Sequence, residues 1–277
     1  YKGRYQGPAL AVSDGTRLLS DAVQAGDEPL MMARLKQFPV VVGKNRYTAG
    51  KLALDLFSPD VLILDDGFQH LGLGRDLDLL LLDGTAPLGN SRLLPAGRLR
   101  ESFDTAVKRA DAVIFTRCDD QSRSRNASYF CRLDGKRFLT QMPSFRTFHQ
   151  PMVCTVITQE NQTGPVPIET FAGRTALLFS GIAGNTGFYQ TVARYGIKVK
   201  DHLEFKDHYR YKGSDFDRIN ACAGKIGVDL IMTTQKDWAK LSDGIQWAVD
   251  LVVIGIRIQF EQPDKFQSFL TAKMNSS

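Results

Sequence analysis

The stretch "DVLILDDGFQH", residues 60–70, holds the pattern on which the fold reading turns. Its apolar residues, Val61 to Leu64, follow one another without polar alternation. A strand with water on one face alternates, whereas an unbroken run of β-formers predicts a strand covered on both faces, as in a parallel sheet. The run closes on two adjacent carboxylates, Asp65 and Asp66, and a glycine. The pattern therefore predicts a buried strand over 60–66 with acidic groups at its carboxyl end.

Similar runs recur at Ala9–Ser13, Phe38–Gly43, Leu77–Asp83 and Asp111–Arg117. Between them, "DEPLMMARLKQ" (27–37) and "YTAGKLALDLF" (47–57) have helical spacing. Alternating strand and helix gives βαβ units, hence an α/β class with a doubly wound sheet. Around Met142–Thr170 the rhythm breaks into short β-prone runs and turn residues, which predicts a short β linker or small antiparallel element. A second α/β pattern follows, with strands at Thr175–Ala183, Val228–Thr234 and Val249–Ile258 and a helix over 185–196. Two domains are expected, residues 1–150 and a smaller one of residues 151–277.

The bulk numbers set limits. In 277 residues, 43% are hydrophobic and 23% charged, which suits a folded chain. The net charge of +5 fits an anionic substrate or membrane surface but is too small to indicate nucleic acid. Cys118, Cys131, Cys154 and Cys222 form no CxxC pair, so neither zinc nor a disulfide framework is suggested, and a reducing cytoplasmic setting fits best. No apolar run reaches the ~18 residues of a membrane span.

Ligands of parallel sheets bind beyond the carboxyl ends of the strands. Asp65-Asp66, Asp83, Thr116-Arg117 and Thr233-Thr234 all stand at such ends. An apolar strand closing on Asp is the Walker B pattern of P-loop nucleotide-binding proteins, in which the carboxylate serves Mg²⁺ beside the phosphates. The plain alternative is a turn after a strand, with Asp66-Gly67 as turn residues. A phosphate-binding loop, G-x-x-x-x-G-K-[ST], should accompany Walker B. Gly50-Lys51 fails that test, because Asn45 and Leu52 stand where Gly and Ser/Thr are needed.

Other stretches admit two readings each. In "GDEPLMMARL" (26–35), Asp27 is either a helix cap with Pro29 in the first turn, or a general base. In "LLPAGRLRE" (93–101), Arg98, Arg100 and Glu101 form either a phosphate-binding loop or a surface ion-pair loop. His208, in "EFKDHYRY" (204–211), is either an acid/base group or a solvated histidine among aromatics. "TTQKDWAKL" (233–241) is either an anion contact or merely a good helix start.

Taken together, GDEP, VVVGKNR, DDGFQH, LLPAGRLRE, FTRCD, SGIA, DHY and TTQKD resemble, in that order, the tetraacyldisaccharide 4'-kinase (lipid A 4'-kinase) family of Gram-negative bacteria. DDGFQH and LLPAGRLRE are the specific elements. The resemblance implies a P-loop-type α/β kinase of two domains with a cleft between them. It implies transfer of the γ-phosphoryl group of ATP, with Mg²⁺, to the 4'-hydroxyl of a lipid A disaccharide precursor carrying a 1-phosphate. Asp27 and His208 match the family's catalytic pair, and Asp65 and Asp66 the residues acting with Mg²⁺ and nucleotide. Arg46, His70 and Arg98 match positions handling phosphate or substrate, with Glu101 in the same loop. The family's membrane-associating helix and P-loop are expected upstream of Tyr1, and work at the cytoplasmic face of the inner membrane is implied. Gly184-Asn185 after SGIA, where proline is usual, and Gln235, where Glu is common, depart from the pattern. Two rivals stay open at this stage: another P-loop-type small-molecule kinase, and a non-catalytic α/β binding module. A downstream DHY and LLPAGRLRE have no purpose in the first.

Overall fold

In the computed structural model, which describes residues 3–118, 142–241 and 244–275, most of the unalternating apolar runs become strands, and several of these are buried along their length. Tyr1, Asp119 and Cys131 lie outside the described residues. The chain divides into two compact units: Tyr1–Ile63 with Pro151–Gly255, and Leu64–Gln150 with Ile256–Ser277. The chain crosses between these units three times, one of the crossings lying after Gln150. The other two, after Ile63 and Gly255, make both units discontinuous in sequence.

The first unit contains the parallel strands β7 (Thr175–Ser180), β8 (Lys198–Glu204), β9 (Leu230–Thr234) and β10 (Asp250–Phe260), in the order β10-β9-β7-β8. Residues of β10 up to Gly255 belong to this unit. Successive side chains of a strand point to opposite faces. Ala176 and Leu178 accordingly join Leu230, Met232, Phe188 and Val192 in one core. Leu177 and Phe179 join Ile219, Ala223, Ile231 and Trp247 in another. The crossover helices are α5 (Asn185–Arg194), which supplies Phe188 and Val192, and α6 (Gly213–Ile226), which supplies Ile219 and Ala223. Gly196, with φ +75°, follows the first, in a left-handed conformation that suits glycine after a helix.

The same unit holds β1 (Ala9–Asp14), β2 (Pro39–Gly43) and the helices α1 (Ala22–Ala25), α2 (Asp27–Ala33) and α3 (Arg46–Phe57). Here the structure corrects the sequence reading. β1 and β2 are not strands of the parallel sheet; they pair antiparallel as a separate two-stranded sheet, with a register shift between Ala11 and Ser13. Val12 and Val40 form a small core with Ala25, Leu30 and Ala33, so these strands too are covered by helices and show little alternation. Gly50 and Lys51 lie inside α3, which agrees with their rejection as a phosphate loop.

The expected strand over 60–66 is a second correction. Residues 58–64 are irregular, and among the described residues no strand pairs with them. Ile63 is 90% exposed. Apolar β-formers become a strand only where a neighbouring edge accepts their backbone hydrogen bonds, and local pattern does not report that edge.

The second unit pairs β3 (Leu79–Asp83), β4 (Ala112–Thr116) and the opening residues of β5 (Ser144–Ile157) in parallel. The helix α4 (Phe103–Val107) lays Phe103, Ala106 and Val107 on Leu80, Leu82, Val113 and Phe115. In α8 (Pro263–Met274), Phe266 and Phe269 set their rings 5.0 and 5.4 Å from Phe145. The stretch from Met142 is thus more than a linker: fourteen residues of it form β5, whose far end pairs antiparallel with β6 (Gln162–Thr163) in the first unit. The continuous β character of Phe145 to Val156 is masked in the sequence by Gln150-Pro151, which reads as a break.

Candidate active site

Asp27 and His208 stand 181 residues apart in the chain, yet His208 Nδ1 lies 3.2 Å from Asp27 Oδ2 in the first unit. Asp27 is free for this contact because it does not cap its helix. Gly26, with φ +95°, occupies the cap position of α2 and Asp27 is the first helical residue. Pro29 sits in the first turn, where its missing N–H costs nothing. The two side chains are 23% and 36% exposed, close enough to the surface to meet a ligand.

His208 adopts φ +58°, a left-handed conformation uncommon for a residue with a Cβ. Its backbone N–H holds that geometry by donating to the Gly181 carbonyl at 3.2 Å and to Asp207 Oδ1 at 3.0 Å. Strain of this kind persists where surrounding contacts over-determine it, often at functional sites. The other ring nitrogen, Nε2, lies 3.8 Å from Asp207 Oδ2, and Lys236 Nζ lies 3.4 Å from Asp207 Oδ1. Burial works against the Asp207 carboxylate, but the Lys236 ammonium and His208 outweigh it and hold its pKa below the usual range. The imidazole therefore stands between two carboxylates, one of them reserved for a lysine. A partly buried carboxylate paired with an imidazole can accept a hydroxyl proton and share it across their hydrogen bond.

A second histidine in the same unit shows the contrast. Ser180 Oγ is 2.8 Å from His202 Nε2, and Glu204 is 3.7 Å from His202 Nδ1. Such a row could suggest a nucleophilic serine. Ser180 is fully buried, however, and also donates to Asn185 Oδ1 at 2.7 Å. Burial lowers the His202 pKa and favours the neutral ring. This set secures the turn after β7.

In the second unit, the double carboxylate and the arginine loop meet. Asp66 adopts φ +48° and Gly67 follows, where an added Cβ would lie 2.6 Å from Leu64 Cβ, so the turn requires glycine. Arg100 Nη1 lies 3.4 Å from both Asp66 Oδ2 and Gln69 Oε1. Gln69 in turn donates to Glu101 Oε1 at 3.2 Å. Glu101 receives a bidentate pair from Arg109, at 2.6 and 2.8 Å, and that hydrogen bonding outweighs burial to hold its pKa below the usual range. The Arg109 guanidinium also lies over the Phe68 ring, 4.8 Å from its centroid. Gly97 permits the loop's path, since a Cβ there would fall 2.1 Å from the Arg92 carbonyl oxygen.

Of the residues predicted from sequence, the structure joins Asp27 with His208, and Asp66 with the loop that carries Glu101. Asp65 shares the exposed turn with Asp66. His70 is exposed at the end of that turn, its N–H bonded to the Gly67 carbonyl at 2.9 Å. Arg98 is exposed, and Arg100, not Arg98, is the arginine beside the carboxylate. Arg46 turns its guanidinium to the Gly43 carbonyl at 3.0 Å, at the start of α3. Sequence reasoning missed Arg109, eight residues beyond Glu101, and the buried pair Asp237–Lys240 at 2.7 Å. Only the latter had a local signal, opposite charges at i and i+3.

Residues 1–275 match the family model described as "Tetraacyldisaccharide-1-P 4'-kinase". Among curated relatives, the tetraacyldisaccharide 4'-kinase of Desulfatibacillum aliphaticivorans is 38% identical over 280 residues, covering 99% of this chain and 73% of the relative. The protein of that name from Syntrophus aciditrophicus is 33% identical, covering 99% and 74%. Among solved structures, the "apo" form of LpxK from Aquifex aeolicus in complex with ATP superimposes with a TM-score of 0.72 at 31% identity, covering 99% of this chain and 76% of that one.

Proposed function

Because the chain belongs to the tetraacyldisaccharide 4'-kinase family, we propose that its Asp27–His208 pair activates the acceptor hydroxyl of that reaction. The family's reaction moves the γ-phosphoryl group of ATP to the 4'-hydroxyl of a tetraacyldisaccharide 1-phosphate in lipid A biosynthesis. Phosphoryl transfer asks a protein mainly for positioning and for charge neutralisation. Asp27 Oδ2 is engaged by His208, leaving Oδ1 to accept the 4'-hydroxyl proton. The imidazole orients the carboxylate through Nδ1, and Asp207 holds the far side of the ring, with Nε2 3.8 Å from its Oδ2, so the proton taken up by Asp27 stays on the Asp27–His208 pair. The observation that carries this reading is the 3.2 Å contact between two residues so distant in sequence, both reachable from solvent.

The Asp65–Asp66 turn is assigned to the nucleotide side. Among the described residues no group of three or more His, Cys, Asp or Glu side chains could hold a metal ion. Mg²⁺ needs no such group: it is commonly held by one or two carboxylates, with phosphate and water oxygens completing its shell. Two adjacent exposed carboxylates fit that donor set. When bound, Mg²⁺ supplies charge neutralisation at the transferring phosphates. His70, Arg98 and Glu101 are assigned to substrate or phosphate handling from the same turn and loop, and Arg46 from the start of α3.

No helix among the described residues is long and apolar enough to cross a membrane. The acyl chains of the substrate and the net charge of +5 support work at an anionic membrane surface, the cytoplasmic face of the inner membrane. The reading is tested by assaying enzyme with Asp27→Asn or His208→Ala against Mg-ATP and tetraacyldisaccharide 1-phosphate. Each is expected to lower kcat by about 10²–10⁴-fold, the range for general acid–base groups, with little change in the KM for ATP. Near-normal kcat in both variants would remove the pair from the mechanism.

A further inference from the structure

The short helix α7 (Gln235–Trp238) and the residues after it contact the segments that carry both halves of the Asp27–His208 pair. On the His208 side, Lys236 Nζ reaches Asp207 Oδ1 at 3.4 Å, and that same oxygen accepts the His208 backbone N–H at 3.0 Å. Gly181, whose carbonyl also receives the His208 N–H, is wedged against the helix. An added Cβ there would lie 3.2 Å from Asp237 Oδ1 and 3.1 Å from the Lys206 carbonyl oxygen. On the Asp27 side, the Arg34 guanidinium lies 4.7 Å from the centroid of the Trp238 ring, and Arg34 Nη2 donates to the Leu241 carbonyl at 3.3 Å. Arg34 is the C-terminal cap of α2, the helix that begins with Asp27.

Beneath these contacts lies a buried charge pair. Asp237 is fully buried, and Lys240, with its side chain 3% exposed, sits 2.7 Å away. Thr234 donates to Asp237 Oδ2 at 2.7 Å, and the Lys240 ammonium faces the Tyr211 ring at 5.5 Å. Burial and the Asp237 carboxylate drive the Tyr211 phenol far above its usual pKa, so it stays neutral. A buried ion pair is a weak source of stability compared with apolar residues of the same volume, because both ions must be desolvated. Stability alone is therefore a poor reason for charges here. Fixing one geometry for the helix and the Lys206–Tyr211 loop is a better one.

We infer that Lys236, Asp237 and Trp238 are positioning residues that hold His208 and Asp27 in register from a single helix. The inference rests on the Asp27–His208 assignment above and adds the device that aligns it. Lys236 acts through Asp207 on His208, Asp237 acts through Gly181 on the same loop, and Trp238 acts through Arg34 on α2. A misplacement of the order of 1 Å can lower a rate by about 10²-fold, so a loosened brace should appear in kcat.

The test is a double-mutant cycle on the enzyme, using Lys236→Met, which removes one charge from a side chain 26% exposed and leaves the buried pair intact. Alone, Lys236→Met is expected to lower kcat about tenfold or more, with the KM for ATP unchanged, and Lys236→Arg to restore most of it. In a His208→Ala background, Lys236→Met is expected to change kcat by less than about twofold, because its route to the chemistry is gone. An unchanged kcat for Lys236→Met, or an equal loss in both backgrounds, overturns the positioning role while leaving the catalytic pair standing. Full activity of His208→Ala overturns the pair itself, and the inference with it. Asp237→Asn is a second variant, judged by kcat per folded molecule: a lower thermal midpoint with unchanged kcat per folded molecule assigns Asp237 to stability and overturns its positioning role.

Discussion

Two acidic regions of this chain are built in opposite ways. Asp27 meets His208 across 181 residues, on a helix and a loop that a buried charge pair and a cation–aromatic contact help to hold. The Asp65–Asp66 turn is exposed, and Arg100 lies 3.4 Å from Asp66 with both side chains 57% exposed. Pairs of that kind contribute little in water. The difference suits the two jobs proposed for them. A group that takes a proton must be in place before the substrate arrives. A carboxylate that acts through a cation and phosphates needs charge and access, and its ligand supplies much of the final geometry.

The strongest way to break this comparison is on the first region. Asp27→Ala should lower kcat by about 10²–10⁴-fold, and added Mg²⁺ should restore nothing. Asp66→Ala should also lower activity, but raising the Mg²⁺ concentration should recover part of it. If the two variants respond alike to Mg²⁺, the division of labour fails. The scaffold beneath the first region is next. Phe179 is fully buried, with its ring 5.8 Å from Trp247 and 5.6 Å from Tyr211. Phe179→Ala should cost about 3–5 kcal/mol in urea unfolding.

Smaller effects belong to the second region. The folded-state pKa of Glu101 is depressed by Arg109, so its contribution to stability is present above the unfolded value near 4.5 and is lost as pH falls through the folded one. Urea midpoints should accordingly fall more steeply between pH 6 and pH 3 (about one and a half units either side of the unfolded value) in the natural protein than in Glu101→Gln. Parallel curves would show that the pair is not felt. Smallest of all, Arg100→Ala should change stability by no more than about 1 kcal/mol, since its partner contact is solvated. A larger loss would mean that the turn is braced after all.

The sequence makes these regions legible to different degrees. The strands β7, β9 and β10 announce themselves because helices or loops cover both faces, leaving no reason for polar alternation. The same rule misreads residues 60–66, since the rule senses apolar side chains and not the neighbouring edge a strand requires. It also misplaces β1 and β2, because the hand of a pairing is set by connections that no local window contains. In the site, Asp65-Asp66 stands out by adjacency alone. Asp27 and His208 have no spacing to relate them, and only the ordered set of motifs pairs them. Arg109 and the Asp237–Lys240 brace stay hidden for a related reason: their meaning lies in burial and in what they support.

The three crossings of the chain between its two units bear on how the protein is made. During synthesis, β1, β2 and the first three helices emerge early, but their unit is finished only when Pro151–Gly255 has followed. Long-range closure of this kind is slow, and it leaves apolar surface uncovered for part of the synthesis. Asp27 is therefore translated long before His208 can meet it. The Asp27–His208 contact can form only after the ribosome has passed the second half of the same unit.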